Sequence, residues 1–307
     1  MRTVLLIFSW ILATLYQPVL AQEYFNRRYD VNSDGSLSFS TDILEVSGGY
    51  SVTFVSTGIT YSSTSRMGFF FIDSFGNITG TPVIIEDSLI SFQTGYPGSL
   101  IELTTGSRYA CIGTKMQWVP EGRYDRGWLL FLNGSFDTLE TRTFTDITPH
   151  DTSIMFRNFR RLANGGFVVV GIRNPVAGNG WFKTGMFRTD SAGNELWRKS
   201  YGSGNKDIQP LDVSLTADHG FVIGSLSNGI GATTHDATPF LLKTDSIGNQ
   251  QWTLNLGNIN CRETDISVDQ ALDGNIQVGT YYSDTCWGRD GWKARINLLQ
   301  IRPDKSN

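Results

Sequence analysis

Histidine and cysteine are scarce in this 307-residue chain, with three of each. His150, His219 and His235 stand far apart at no ligand spacing, which argues against a zinc site. There is no Gly-x-Ser-x-Gly elbow and no neighbouring Cys/His pair, so no familiar nucleophile set is in place. Basic clusters are also missing. The 25 Lys and Arg against 29 Asp and Glu give a formal charge of −4, a poor match to nucleic acid. Beyond the N-terminus no apolar run approaches membrane-spanning length. No sustained 3.6-residue apolar period appears, so few helices are expected.

The N-terminus has the order of a secretory leader. Arg2 precedes an apolar run from Val4 to about Leu15, and Pro18-Val-Leu-Ala21 offers a small-residue cleavage site before Gln22. Residues 1–21 are therefore assigned to a signal peptide and 22–307 to a single domain. Loss of Arg2 takes the basic count from 25 to 24 and the formal charge from −4 to −5. Export permits a disulfide. Cys261 and Cys286 lie in polar, loop-like text and are expected to pair, whereas Cys111, inside Tyr-Ala-Cys-Ile-Gly, reads as a small buried filler.

What is abundant is glycine, 33 residues, and repetition. One series reads Gly-Gly-Tyr50, Ser-Arg-Tyr109, Gly-Gly-Phe167, His-Gly-Phe221 and Gly-Asn-Ile276, at intervals of 59, 58, 54 and 55. A second marks turns at Asp73, Asn133, Asp190, Asp245 and Asn297, at intervals of 60, 57, 55 and 52. Short strands at this period signal a β-propeller. The expectation is an all-β, five-bladed β-propeller of four-stranded blades. Asp-Ser-x-Gly-Asn recurs at 73, 190 and 245. Its Asp reads as turn chemistry, with Gly in the left-handed position. The fifth unit runs out after three strands. Phe25 and Tyr29 align with Trp197 and Tyr201, so the N-terminal strand is expected to complete the C-terminal blade and close the ring, removing free sheet edges.

The Gly-Gly-Phe-Val-Val-Val-Gly strand at 165–171, the Phe-x-x-x-Asp-Ser-x-Gly-Asn-x-x-Trp hairpins and the leader ending in Leu-Ala-Gln resemble the kelch-like repeat propellers secreted by Bacteroidetes-type bacteria. The resemblance covers nearly all of the chain after the leader. It implies fold and export, with a periplasmic or outer-membrane-associated location, more than an activity.

In such a blade the turns joining strands one to two and three to four share one face. The two–three loops and the crossings share the other, where the text is longer and more varied, and binding groups concentrate on such loops. Trp118, Arg123, Tyr124, Trp181, His235, Asp236 and Trp287 are the candidate binding residues on that face, since Trp, Tyr and Arg anchor interfaces. The competing reading is that these aromatics cover blade edges. Asp30, Asn32, Asp34 and Ser36, with Gly35, match the opening of a calcium loop and make Ca2+ the candidate ion. Thr41 stands where the bidentate Glu would be, and an Asn/Asp-rich crossing is the plain alternative. The uniform repeats and the missing catalytic set favour a non-enzymatic exported propeller, a protein-binding or assembly subunit of the cell envelope. The alternatives are a glycan-binding module, or a glycoside hydrolase using inner-strand carboxylates among Glu45, Glu102, Asp212 and Asp265.

Overall fold

The computed structural model describes residues 29, 31, 37–57, 64–120, 122–145, 152–175, 182–202, 207–228, 237–256, 263–283 and 294–303. Among them there are strands and turns and no helix. Blade 1 is β1 (Leu37–Val46), β2 (Gly49–Thr57), β3 (Arg66–Asp73) and β4 (Ile78–Ile85). Blade 2 has a first strand in two pieces, β5 (Ile90–Thr94) and β6 (Leu100–Thr104), then β7 (Arg108–Val119), β8 (Gly122–Asn133) and β9 (Thr138–Phe144). Blade 3 is β10 (Thr152–Arg161), β11 (Phe167–Pro175), β12 (Lys183–Thr189) and β13 (Glu195–Tyr201). Blade 4 is β14 (Asp207–Leu215), β15 (Phe221–Asn228), β16 (Ala237–Thr244) and β17 (Gln250–Asn255). Blade 5 comprises β18 (Glu263–Gln270), β19 (Ile276–Ser283) and β20 (Ala294–Ile301). Each sheet is an antiparallel meander; the first strands of blades 1 and 2, 3 and 4, and 4 and 5 touch, and β10 of blade 3 packs on β7 and β8 of blade 2. This is the five-bladed β-propeller that the repeat implied, with the first strands around its centre.

Apolar faces of adjacent blades pack into separate cores. Met67 and Phe69 of blade 1 meet Phe92, Trp128 and Leu130 of blade 2. Leu129 and Phe131 meet Phe156, Phe159 and Phe187 of blade 3. Val168 and Met186 meet Val213 and Ile223 of blade 4, and Leu211 and Leu241 meet Ile266 and Val268 of blade 5. Cys111 is fully buried in the first of these cores, where burial pushes its thiol up well beyond the usual range. The expected Cys261–Cys286 bridge lies outside the described residues.

The Asp turns work as read. Asp190 Oδ1 accepts from the backbone N–H groups of Ala192 and Asn194, and Oδ2 from the Asn194 side chain. Asp73 and Asp245 repeat this set, and Asn133 accepts the two equivalent backbone N–H groups. Pairing corrects the fifth turn. Phe221 faces Thr244 and Ile276 faces Ile301, so Arg302 holds the place of Asp245. Asn297 lies inside β20, opposite Thr280.

Tyr201 Oη donates to Gly248 O of the next blade at 2.6 Å, and Tyr29 Oη donates to Gly76 O of blade 1 at 2.9 Å. Tyr29 therefore stands to blade 1 as the end of β13 stands to blade 4, which matches the alignment of Tyr29 with Tyr201. Phe25 and the strand expected to complete blade 5 lie outside the described residues. Leu298 of β20 is 83% exposed, whereas its counterpart Leu241 is wholly buried.

A second regularity was invisible in the repeat. While β6 of blade 2 shifts register nearer its turn, between Glu102 and Thr104, the first strands of blades 1, 3, 4 and 5 carry a β-bulge that skips Thr41, Arg157, Leu211 and Thr264. The next residue is Asp42, Asn158, Asp212 or Asp265. A bulge re-aims the side chain beside it, and here two of the four reach the next blade in the same way. Asp42 Oδ2 accepts from Leu100 N at 2.9 Å, Gly98 N at 3.1 Å and Ser99 Oγ. Asp212 Oδ2 accepts from Val268 N at 2.9 Å and Ser267 Oγ at 3.0 Å, while its Oδ1 takes Arg160 Nη2 of blade 3 at 2.8 Å. Asp265 is exposed and accepts from its own neighbour, Ile266 N.

Two outcomes follow. Replacing Asp212 by Ala takes the counter-charge from a partly buried guanidinium and the acceptor from the buried Val268 N–H, and should cost about 3 kcal/mol in urea unfolding. Asp265→Ala should cost less than about 1 kcal/mol, and equal costs would contradict the clamp. Acid should also weaken the fold. Hydrogen bonds from the Asn194 side chain and backbone hold the Asp190 carboxyl below its ordinary range, and the backbone and side chain of Asn275 do the same for Asp273. A lowered carboxylate stabilises the fold above its unfolded pKa of about 3.9, and that contribution is lost as pH falls through and below it. The melting temperature should drop between roughly pH 5 and pH 2, less steeply in Asp190→Asn/Asp273→Asn. An unchanged slope would remove these turns from the account.

Candidate functional site

The repeat is broken in one first strand. Between β5 and β6, residues 95–99 leave the ladder. Only Gly95 N to Ile112 O and Ile112 N to Ser99 O still join this segment to β7. The loop crosses the inner edge of the blade and touches both neighbours. On one side Gly98, Ser99 and Leu100 hold the Asp42 carboxylate of blade 1. On the other, Tyr96 N donates to Arg157 O at 2.7 Å, and Asn158 Nδ2 donates to Pro97 O at 2.9 Å. A loop that touches the first strands of blades 1 and 3 lies at the inner edge of its own blade.

Gly95 is required there. A Cβ on it would sit 2.5 Å from Arg157 O, closer than any side chain tolerates. Gly98 has φ +89°, a left-handed position suited to glycine. The bulge that presents Arg157 O to Tyr96 also directs the arginine side chain. Its guanidinium lies 4.9 Å from the centre of the Tyr96 ring, within cation–π range. Tyr96 is 40% exposed, so the pair is open on one side. Arg157 Nε is buried and has no hydrogen-bond partner among the described residues. Arg160 is committed, to Asn158 Oδ1 at 2.5 Å and to Asp212.

Burial pushes the Asp42 carboxyl up, against the pull of the Gly98 and Leu100 N–H groups. Asp42 and Asp212 are occupied in joining blades. Of the other inner-strand carboxylates, Glu45 and Asp265 are exposed, and Glu102 caps its own turn through Gly106 N.

The second part of the site is an arm. The text 114–126, read as a two–three loop, is a continuation of β7 and β8. The two strands pair without interruption from Arg108–Asn133 to Val119–Gly122. Trp118, Arg123 and Tyr124 are thus strand residues on a long hairpin. Cross-strand register puts Trp118, Met116, Arg123 and Asp125 on one face. Arg123 Nε donates to the buried Asp125 at 2.7 Å, and Nη2 reaches Met116 Sδ at 3.2 Å and Met155 Sδ of β10 at 3.7 Å. The arm therefore leans on the strand that carries Arg157. Trp118, near its tip, is 72% exposed. On the opposite face Lys115 lies over the Trp128 ring at 4.4 Å and directly opposite Arg126.

Trp181, His235, Asp236 and Trp287 lie outside the described residues, as do the calcium-loop residues Asp30, Asn32, Asp34 and Ser36. Among the described residues no group of three His, Cys, Asp or Glu side chains could hold a metal ion. Tyr96 and Arg157 were missed. The signal for Tyr96 was present as Gly95-Tyr-Pro-Gly98 between the apolar halves of a strand. Arg157 depends on a bulge that no residue pattern announced.

No protein-family model matches the chain, and no curated protein matches it. Solved structures do. A protein of unknown function from Dyadobacter fermentans DSM 18053 aligns over 90% of this chain and 81% of its own, at 12% identity and TM-score 0.64. A polysaccharide lyase, PL25 ulvan lyase bound to -[GlcA(1-4)Rha3S]-, aligns over 86% and 68%, at 8% identity and TM-score 0.50. Bacillus subtilis levansucrase aligns over 92% and 89%, at 9% identity and TM-score 0.49. The likeness is one of fold. It corrects the expectation that the chain is not an enzyme. That expectation rested on uniform repeats and a missing motif, but blade 2 breaks the repeat in its first strand, and a polysaccharide lyase shares this architecture.

Because Gly95 meets backbone, Gly95→Ala should destabilise the protein by about 1–3 kcal/mol, by displacing the 95–99 loop from β10. Chemical denaturation measures this, and an unshifted midpoint would show that the loop is not seated on Arg157.

Proposed function

We propose that the chain is an exported, carbohydrate-active propeller that holds a saccharide in its central funnel. The observation that carries this reading is the broken strand of blade 2, which sets Tyr96 against Arg157 in the funnel. A flat, partly exposed ring offers a face to the C–H surface of a sugar, and an adjacent guanidinium offers donors to its oxygens. Trp118 and Arg123, on an arm rooted beside the same β10 strand, extend that surface for a chain longer than one residue. Small-molecule sites favour this kind of concave, pre-formed setting with few convergent polar groups. The lyase of similar fold, which binds an acidic saccharide, supports the same direction. The leader-like N-terminus fits a role outside the cytoplasm.

The test is a polysaccharide panel presented to the purified protein, read for retention and for depolymerisation by new reducing ends or unsaturated products. At least one polymer should be retained. Tyr96→Ala should weaken its binding by about tenfold with the melting temperature unchanged. Depolymerisation would make the protein an enzyme on that polymer. A panel on which nothing is retained would sink the reading.

A further inference from the structure

The saccharide site just proposed has a charge preference that its geometry exposes, and the inference below rests on that site. Every other ionised group identified in the inner belt is committed or exposed to water. Asp42 accepts from blade 2 through Gly98, Ser99 and Leu100. Asp212 accepts from Arg160, Ser267 and Val268. Arg160 is divided between Asn158 and Asp212, and Arg161 donates to Leu103 O. Asp265 is exposed on β18.

Among the described residues, Ser51, Thr53, Trp128 and Arg157 each have a buried polar side-chain atom with no partner, and Arg157 is the charged one of the four. Its Nε–H is shielded from water and unpartnered, and no carboxylate among the described residues pairs with it. Leaving a charged donor buried and unsatisfied is costly, so such a group in a folded protein asks for a missing acceptor. The guanidinium is held in place by Tyr96, and a planar fork of this kind matches a carboxylate or sulfate through paired N–H···O bonds.

The arm repeats the preference. Lys115 and Arg126 stand directly opposite each other on β7 and β8. Like charges in that position repel, and burial together with Arg126 lowers the Lys115 pKa. Arg157 on β10 and Lys115 and Arg126 on the arm, with Asp87 acting on Lys115 in the opposite sense, belong to a protein whose net charge is −4.

We infer that the funnel of this protein selects an anionic saccharide. Arg157 takes an oxyanion group of the sugar, a carboxylate or a sulfate ester, while Tyr96 packs on the ring that bears it.

The experiment is calorimetric titration of the purified protein with three probes: a polyuronate, dextran sulfate and unmodified dextran. At least one anionic polymer should bind ten times more tightly than dextran, roughly the worth of one charged hydrogen bond, with affinity falling as salt rises. A preference for the polyuronate assigns a carboxylate, one for dextran sulfate assigns a sulfate ester, and either supports the inference. Arg157→Met should remove the preference, and Arg157→Lys should restore only part of it by keeping charge without the fork. Should Arg157→Met fail to fold, the wild-type comparison of dextran with dextran sulfate and the Lys variant still decide. Equal, salt-independent binding of dextran would overturn the anionic class and leave saccharide binding standing. Binding of none of the three, on top of an empty polysaccharide panel, would take down both. An anionic affinity unchanged by Arg157→Met would remove Arg157 from the site.

Discussion

The ring depends on a carboxylate or amide placed just after a bulge in the first strand of a blade. β-Sheets packed face to face are held by apolar contact, which has no direction and tolerates sliding. Direction comes from Asp42 and Asp212, each of which takes a backbone N–H and a serine hydroxyl from the neighbouring first strand. These bonds fix the height of one blade against the next. They also account for carboxylates near the funnel without invoking catalysis. Asp42 Oδ2 and both oxygens of Asp212 are engaged in holding neighbouring blades or their own backbone.

The same constraint explains where the site lies. In blade 2 the first strand opens into a loop, and Pro97 stands two residues before Ser99, as Asp265 stands two before Ser267. Blade 2 cannot clamp forward with a proline. Asn158 of blade 3 reaches back to Pro97 O instead. The strand that reverses the direction of the clamp also carries Arg157, whose carbonyl receives Tyr96 N. The reversed clamp therefore coincides with the place where an aromatic ring and a cation meet, with the ring partly exposed.

Much of the fold was legible in the sequence because its turns are chemical. Asp, Gly and Asn at fixed offsets record a hydrogen-bond set, and the blades follow from their period. The fifth turn misled because Asn297 is the right kind of residue in a strand, while Arg302, at the true position, carries no turn signature. The arm was misread as a loop because Trp118 to Arg126 contains Pro120 and Gly122 at a tight tip, and the strands on either side simply continue. The bulges left only the Asp or Asn that follows each of them. Thr41, Arg157 and Leu211 share no property except being the residue skipped, and register is set by pairing that a single chain of letters does not display. Trp118, Arg123 and Tyr124 were picked from composition, and the structure puts them on one arm. The pair in the funnel arose from loop and bulge together, and needed the backbone to be seen.

The central claim is that the 95–99 loop and β10 form the binding surface. Amide hydrogen exchange of the purified protein, with and without a saturating retained polysaccharide, tests it most directly. The account predicts slowed exchange in residues 94–100 and 155–160, with a smaller effect on the arm at 116–124. Protection confined to the loops of the turn face, or unchanged exchange around Tyr96 and Arg157 while the saccharide is bound, would contradict it.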